Sequence, residues 1–433
     1  MLSLCFLLVL VSFWGESILF LCLLSLFFFI KSSSYCLMFV GLFYELDMIS
    51  WVLVMLSVWV ICLSIMSSMS IKVYGKFSFL FVGLNMSLLL FLVMSFCFSN
   101  YLMFYLSFEC SLIPIMLLIL GWGHQPERSQ AGVYMLFYTI FGSLPLFFLI
   151  MCINNFFGGM YMHMYSEMLS GEVFCLMMLL AFLVKFPMYS LHLWLLKAHV
   201  EAPVAGSMIL AGIMLKLGGY GIIRLLPLLS SSNKMLEMLV CFSVWGGVVM
   251  SVICMRQLDM KLLIASSSVV HMCMCISGLF VLNDWGIKGC VFMMLSHGLC
   301  SSGLFCLANV VYERTFSRSM AISKGLLNLL PSLSMFWFLL VSANIAAPPT
   351  MNLLSELMLI VSLVSWSIIT IIMMVGLSFF SGVYSLFLYS LSQHGVYLFS
   401  SGTIKVNVIL EYMVLFLHWA PLNILILVGC VLI

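Results

Sequence analysis

Residues 171–200 read GEVFCLMMLLAFLVKFPMYSLHLWLLKAHV, and this stretch decides the fold. It is apolar almost throughout and longer than one straight membrane helix, which needs roughly 17–25 residues. Its middle carries Lys185-Phe186-Pro187, and proline removes a backbone donor and clashes with the preceding turn. The stretch therefore predicts a helix that is broken or strongly kinked at membrane depth, with a charged side chain at the break.

The composition of the whole chain points to lipid as its solvent. Of 433 residues, 65% are hydrophobic and only 7% are charged, whereas a soluble domain is about 25% charged. A net charge of +2 is too close to neutral to suggest nucleic acid as a partner. Composition thus excludes a conventional soluble enzyme.

Breaks in the hydrophobic pattern predict about fourteen transmembrane spans, of which the first two are short. They lie near 1–13, 16–30, 48–69, 77–98, 100–122, 132–153, 171–200, 203–225, 235–255, 262–282, 286–311, 330–364, 366–391 and 408–432.

The twelfth span, 330–364, is also too long for one helix and contains Ala347-Pro348-Pro349. Breaks in spans 7 and 12 are five spans apart, which predicts two five-helix repeats, spans 4–8 and 9–13. Because five is odd, the second copy enters the membrane from the opposite side, as in inverted-repeat transporters. We therefore predict an all-α polytopic membrane protein with these domains: N-terminal helices (1–76), a first repeat (77–225), a second, inverted repeat (235–391) and a C-terminal helix (392–433).

Basic residues in the loops predict the orientation. Loops after odd-numbered spans carry ten (Lys72, Lys76, Arg128, Lys197, Arg256, Lys261, Arg314, Arg318, Lys324, Lys405), and the other side carries four (Lys31, Arg224, Lys234, Lys288). The positive-inside rule then places the odd loops on the matrix or cytoplasmic face and both termini opposite.

Four ionisable residues fall near the middle of predicted spans: Glu109, Lys185, Lys216 and Glu356. A charge at that depth costs about 2.5–3.5 kcal/mol on insertion scales, so each must be paired or hydrated. Desolvation favours loss of a proton from lysine, while a nearby carboxylate retains it. A lysine whose carboxylate partner comes and goes is a switchable proton site; the alternative is a static ion pair that holds the bundle together.

Two histidines fall at mid-depth, His271 in span 10 and His297 in span 11. An unperturbed imidazole titrates near pH 6.5 and can relay protons; alternatively, each ring is satisfied by a neighbouring serine or carbonyl group. By contrast, we predict interfacial positions for the histidines taken to lie at span ends, His163, His394 and His418.

Polar residues follow the break in span 7: His192, Trp194, Lys197, His199 and Glu201. They could line a path for ions or anchor the helix at the interface. We expect Trp194 to lie at headgroup level, with Lys197 extending towards water. The loop Gln125-Pro126-Glu127-Arg128 is expected to cap the helices on either side of it.

No motif indicates a cofactor or metal. The 16 cysteines lack C-x-x-C spacing and lie in apolar runs, which favours packing roles over zinc or iron–sulfur ligation. No glycine-rich nucleotide motif and no H-E-x-x-H is present.

Residues 185–224, KFPMYSLHLWLLKAHVEAPVAGSMILAGIMLKLGGYGIIR, resemble the subunit 4 family of mitochondrial NADH:ubiquinone oxidoreductases (respiratory complex I). So do FECSLIPI (108–115), GHQPERSQAG (123–132), LDMKLLIASSSVVHM (258–272), SHGLCSSGLFCLANVVYERTFSR (296–318) and PPTMNLLSEL (348–357). The resemblance covers roughly residues 100–360. One departure is Leu196, where the family usually has proline, which leaves the end of the second half-helix open.

The resemblance implies an antiporter-like subunit of the membrane arm, in the mitochondrial inner membrane with both termini on the intermembrane-space side. It implies that Glu109 pairs with Lys185, that Lys216 continues a hydrated proton axis, and that Glu356 ends the axis, with His271 and His297 on or beside it. It also implies no cofactor in this chain, with FMN, iron–sulfur clusters and ubiquinone in partner subunits. The expected partners are other membrane-arm subunits, including neighbouring antiporter-like ones, and phospholipids such as cardiolipin.

Two alternatives remain from the sequence alone. A free-standing cation/proton antiporter subunit would share the fold and much of the charged axis. A proton-inert scaffold would keep the same buried pairs permanently closed. Neutralising Lys185 or Glu109 separates the scaffold from a pump.

Overall fold

A computed structural model describes residues 14–30, 38–39, 44–75, 77–123, 125–157, 161–162, 171–229, 233–396 and 407–432. Helices account for most of them. A single two-residue antiparallel strand pair, β1 (Met38–Phe39) and β2 (Glu45–Leu46), lies in the described N-terminal part of the chain.

The first half of the chain contains these helices: α1 (Trp14–Ile30), α2 (Met48–Ser67), α3 (Met69–Tyr74), α4 (Ser78–Cys97), α5 (Tyr101–Cys110), α6 (Leu112–Trp122), α7 (Arg128–Phe157), α8 (Glu172–Lys185), α9 (Leu193–Glu201), α10 (Val204–Ile209) and α11 (Leu215–Leu229). A π-helical segment, Leu210–Met214, joins α10 to α11.

The second half contains α12 (Asn233–Cys254), α13 (Met260–Phe280), α14 (Asp284–Thr315), α15 (Leu326–Leu329), α16 (Pro331–Asn344), α17 (Met351–Trp366), α18 (Thr370–Gln393) and α19 (Ile409–Leu432).

These helices coincide with the predicted spans. Within the described ranges, ten helical segments are long and apolar enough to cross a membrane. They correspond to every predicted span except the first, second, seventh and twelfth. The second is the shorter apolar helix α1, and the seventh and twelfth are each divided into two half-helices. The predicted first span, 1–13, lies outside the described residues.

Both predicted breaks are present. In span 7 the chain leaves helical geometry after Lys185 and resumes it at Leu193, so Pro187 lies in the non-helical connection. In span 12 the connection between Asn344 and Met351 contains Pro348 and Pro349. The prediction of an all-α membrane fold with broken spans in corresponding positions of two five-span series is confirmed.

The described chain forms two compact units. The first comprises the residues up to Phe186 together with Glu201–Met235, and the second comprises Pro187–Val200 together with Leu236 onward. The chain thus changes unit at the break in span 7 and again at the end of α9, so that the second half-helix belongs to the later unit.

Glycines allow α11 to approach the break closely within the first unit. A Cβ atom on Gly218 would lie 2.7 Å from the backbone nitrogen of Phe186 and 3.0 Å from the carbonyl oxygen of Phe182. One turn later, a Cβ on Gly221 would overlap the ring of Phe182. Because backbone atoms cannot move aside as a flexible side chain can, Gly218 sets the distance between α11 and the end of α8.

We therefore expect Gly218→Ala to lower the thermal stability of the chain in membranes, since inserting a methyl group into a packed contact costs about 1–3 kcal/mol. The matched control is Gly382→Ala, because nothing lies within 4 Å of a Cβ at that position. The measurement is the unfolding temperature of each variant in detergent. Equal unfolding temperatures for the two variants would contradict this account of the contact.

Candidate functional site

In the first unit, Lys185 is buried beside Glu109. Its ammonium donates a hydrogen bond of 2.8 Å to the carbonyl of Phe108 and lies 3.0 Å from the centroid of the Phe108 ring. Glu109 interacts electrostatically with Lys185. The lysine expected to have a carboxylate partner therefore lies within reach of one, although its nearest acceptor is a backbone carbonyl.

Irregular backbone creates this arrangement. Helix α5 ends at Cys110 and α6 begins at Leu112, with a turn at Ser111 between them. The hydroxyl of Ser111 also donates to the Phe108 carbonyl, at 2.7 Å. On the other side, Lys185 is the last residue of α8. A helix interruption thus presents a carbonyl group to an ammonium that itself marks the end of a half-helix.

Lys216 is fully buried in α11, immediately after the π-helical segment. Its ammonium donates a 2.5 Å hydrogen bond to the carbonyl of Ala211, which lies inside that segment. A π segment departs from the α-helical hydrogen-bond pattern and is frequent at functional sites. The sequence predicted a buried lysine at this position, but it gave no sign of the π segment that supplies the acceptor.

Arg224 lies two turns beyond Lys216 on the same helix, where the sequence had suggested a loop charge. Its guanidinium forms a 2.5 Å ion pair with Asp47, and both side chains are less than a quarter exposed. The guanidinium lies over the Tyr220 ring, and the hydroxyl of Tyr101 donates to the Arg224 carbonyl at 3.1 Å. The end of the helix that carries Lys216 is therefore fixed to the N-terminal end of α2.

In the second unit, Glu356 lies beside the two predicted histidines. The Nδ1 atom of His271 is 3.5 Å from a carboxylate oxygen of Glu356, and the rings of His271 and His297 have centroids 5.5 Å apart. All three side chains are buried. Helices α13, α14 and α17 thus bring one acid and two imidazoles together, in the order Glu356, His271, His297.

The break in span 12 positions Glu356. The side-chain amide of Asn352 donates a hydrogen bond of 2.6 Å to the carbonyl of Ala343. This bond connects the first turn of α17 to the last turn of α16 across the break. Glu356 follows one turn later. The serines beside the histidines donate to carbonyls of their own helices and not to the imidazoles: Ser266, Ser267, Ser268, Ser301 and Ser302.

The polar residues after the break in span 7 differ in their exposure. Trp194 is buried in the protein, so its predicted place at the headgroup level is wrong. Lys197 is exposed, as expected of a side chain that extends towards water. His199 is fully buried, with its ring stacked on Phe305 at a centroid distance of 4.7 Å. The second half-helix runs to Glu201. The sequence leaves this end open, because Leu196 stands where the family usually has proline.

The three histidines expected at interfaces also differ. His418 is fully buried within α19, and its Nδ1 is 2.7 Å from the carbonyl of Val414, so the prediction of an interfacial position is wrong. His394 is exposed at the end of α18. His163 lies outside the described residues, as do the loop lysines Lys31, Lys76 and Lys405. Arg128 donates a hydrogen bond of 2.8 Å to the carbonyl of Gly123 at the end of α6, and thus caps that helix as expected.

The described part of the chain holds no group of three or more His, Cys, Asp and Glu side chains placed to bind a metal ion. What the two units do hold are ionisable groups close to one another, of which Glu109 is half-buried and the others are buried. Such groups can exchange protons, because a change in one charge alters the proton affinity of the next.

Comparison with protein families identifies two matching regions. Residues 98–381 match the family described as NADH:quinone oxidoreductase/Mrp antiporter, transmembrane. Residues 1–95 match the amino terminus of NADH-ubiquinone oxidoreductase chain 4.

Curated relatives extend over nearly the whole chain. NADH-ubiquinone oxidoreductase chain 4 of Ceratitis capitata is 52% identical over 395 residues, covering 90% of this chain and 87% of that protein. The proteins of the same name from Locusta migratoria and Polypterus ornatipinnis are 47% and 42% identical, covering 94% and 88% of this chain and 92% and 84% of their own lengths.

A chain of respiratory complex I from Thermus thermophilus, in a structure with bound NADH, has a similar fold. The TM-score is 0.86, and the match covers 99% of this chain and 95% of that chain at 20% sequence identity. This likeness establishes the fold alone.

The ion pair at the end of α11 yields a stability prediction. We expect Asp47→Asn and Arg224→Gln each to lower the free energy of unfolding, because each leaves a largely buried group without its ionic partner. The double variant should lose about 0.5–3 kcal/mol less than the sum of the two single losses. Thermal unfolding in detergent measures all three, and strict additivity would show that the pair contributes nothing to stability.

Proposed function

Because the chain belongs to the NADH-ubiquinone oxidoreductase chain 4 family, we propose that it moves protons through Glu109, Lys185, Lys216 and Glu356, with His271 and His297 as relays. As a member of that family it is a multi-pass subunit of the membrane arm of complex I in the mitochondrial inner membrane. It couples electron transfer from NADH to ubiquinone, carried out in other subunits, to proton pumping. Other complex I subunits are therefore its partners.

The single observation that supports the assignment of residues is the placement of buried charge. Each of the four proposed proton-carrying residues is a side chain whose charge lipid would penalise. Three of them lie next to a break or a π segment, and Glu109 lies next to the turn at Ser111. Backbone that departs from α-helical geometry at membrane depth occurs where protein or a water-filled cavity covers it, and we propose that water reaches the proton carriers at these places.

A pump needs charges that change partners. Lys185 bonds the Phe108 carbonyl while it interacts electrostatically with Glu109, so its ammonium has a neutral acceptor and a nearby anionic group. Movement between the two would change how firmly the proton is held, because a carboxylate favours the charged form and a carbonyl compensates it less. In the second unit, the imidazole of His271 lies between Glu356 and His297 and can pass a proton either way.

The finer parts of the assignment follow from the family and from charge. We propose that this chain contains no flavin, cluster or quinone and that FMN, iron–sulfur clusters and ubiquinone reside in partner subunits. Neighbouring antiporter-like subunits and phospholipids, cardiolipin among them, are proposed contacts. The excess of basic residues in the odd loops supports both termini on the intermembrane-space side. We also propose that the two five-helix series, 77–225 and 235–391, are the repeats that carry the proton path.

We expect Lys216→Ala to assemble into the complex and pump poorly, because the variant removes the buried ammonium from the proton path. Lys234→Ala is the control, since Lys234 is an exposed lysine near the start of α12. Assembly is measured as co-migration with NADH dehydrogenase activity on native gels, and pumping as protons moved per NADH in proteoliposomes. A normal ratio in an assembled Lys216→Ala complex would refute its role in the proton path.

Glu109→Gln and Lys185→Met test whether the buried pair is a pump element or a scaffold. For a pump element, both variants assemble and both lose proton translocation, because one charge of the exchanging pair is gone. For a scaffold, both variants fail to assemble, since removing one partner from a buried pair typically costs about 3–5 kcal/mol. The same gels and proteoliposomes separate the two outcomes.

A further inference from the structure

Tyr384 has a buried hydroxyl group that the proposed function does not yet use. The residue lies in α18 and is fully buried, and its hydroxyl has no hydrogen-bond partner among the described residues. It belongs to the buried face of that helix, which recurs at helical spacing through Leu377, Ser381, Tyr384 and Leu388.

This face of α18 packs on the helices that carry the second-unit site. Leu377 lies two turns before Tyr384 on α18. A Cβ atom on Gly247 would lie 3.1 Å from the Leu377 side chain and 3.3 Å from the Cys273 side chain. Cys273 lies two residues beyond His271 on α13. Because Tyr384 continues the same stripe along α18, its ring points into this unit rather than towards lipid.

The groups around the Tyr384 ring include the acid of the proposed path. Tyr384 lies within electrostatic range of Glu356, Cys254 and Cys300. The thiol of Cys254 in turn donates a 3.2 Å hydrogen bond to the hydroxyl of Ser266. The phenol therefore shares the interior of the second unit with a carboxylate on α17 and a thiol–hydroxyl pair on α12 and α13.

A buried hydroxyl without a partner is rare in folded proteins, and ordered water is the usual explanation. A buried water typically makes about three hydrogen bonds to polar groups that would otherwise lack partners. The Tyr384 hydroxyl and the Glu356 carboxylate are polar groups from different helices that lie within electrostatic range of each other. The neighbouring serines are less suited, since their hydrogen atoms are donated to carbonyls of their own helix.

We infer that the Tyr384 hydroxyl holds water beside Glu356 and passes protons to or from that carboxylate. This inference rests on the proposed function, because Glu356 must carry protons for a neighbouring relay to matter. The phenol oxygen accepts a proton from water on one side while its own proton leaves to water or carboxylate on the other. One O–H bond forms as one breaks, so the phenol itself stays neutral while the charge of the proton passes to or from Glu356.

Tyr384→Phe removes only the hydroxyl and keeps the ring that packs α18. We expect the assembled complex to pump roughly tenfold more slowly in proteoliposomes, a change of about 1.4 kcal/mol in the barrier. The solvent deuterium isotope effect on pumping should also rise, because proton transfer near Glu356 then limits the rate. A purely structural role for the hydroxyl would leave the isotope effect unchanged.

Tyr389→Phe is the matched control on the same helix, since Tyr389 contacts the rings of Phe338 and His394 and has no place in the proton path. Glu356→Gln is measured in parallel. If Tyr384→Phe pumps normally while Glu356→Gln does not, the Tyr384 inference is wrong and the proposed function stands. If both pump normally, the proposed function itself fails and the inference falls with it.

Electron cryo-microscopy of the unmodified complex tests the same inference without relying on a variant that assembles. At a resolution that shows ordered water, we expect density for a water molecule within hydrogen-bond distance of the Tyr384 hydroxyl. A phenol surrounded only by apolar atoms in such a map would overturn the inference.

Discussion

The constraint on which this structure depends is the cost of burying an ammonium group in a membrane, about 2.5–3.5 kcal/mol even on insertion scales. Lys185 and Lys216 meet it in the same way. Each donates to a backbone carbonyl at a local irregularity, Phe108 beside the turn at Ser111 and Ala211 in the π-helical segment. In regular α-helices the carbonyl groups accept hydrogen bonds from their own helix. The local departures from helical geometry therefore supply the acceptors that stabilise the buried lysines, and they allow the lysines to exchange partners.

The second unit solves the opposite problem, a buried acid. Glu356 lies one turn after the residue that ties α17 to α16 across the break, and its neighbour is an imidazole rather than a fixed cation. A histidine can be neutral or charged near physiological pH, so it can stabilise the carboxylate in one state and leave it protonated in another. A permanent ion pair with arginine, such as that between Arg224 and Asp47, would hold one state only. The same fold therefore uses arginine for anchoring and histidine beside the exchanging acid.

Much of this was predictable because proline and charge stand out in an apolar chain. Pro187, Pro348 and the four mid-span ionisable residues located both breaks and the candidate groups directly. Hydropathy does not show which face of a helix contacts protein, because lipid is as apolar as a packed interior. For that reason the sequence predicts interfacial positions for Trp194 and His418 although both are buried, and a loop position for Arg224 although α11 continues to Leu229.

The same reasoning explains why a proton path here needs neutral groups. Each added charge costs free energy that the fold must offset, whereas a hydroxyl in the membrane costs far less. Serine is too short to serve freely: Ser267 and Ser268 reach only the carbonyls of their own helix. A tyrosine carries its hydroxyl beyond that distance, and Tyr384 has no carbonyl partner of its own among the described residues. Its length, more than its acidity, makes it suited to bridge helices through water.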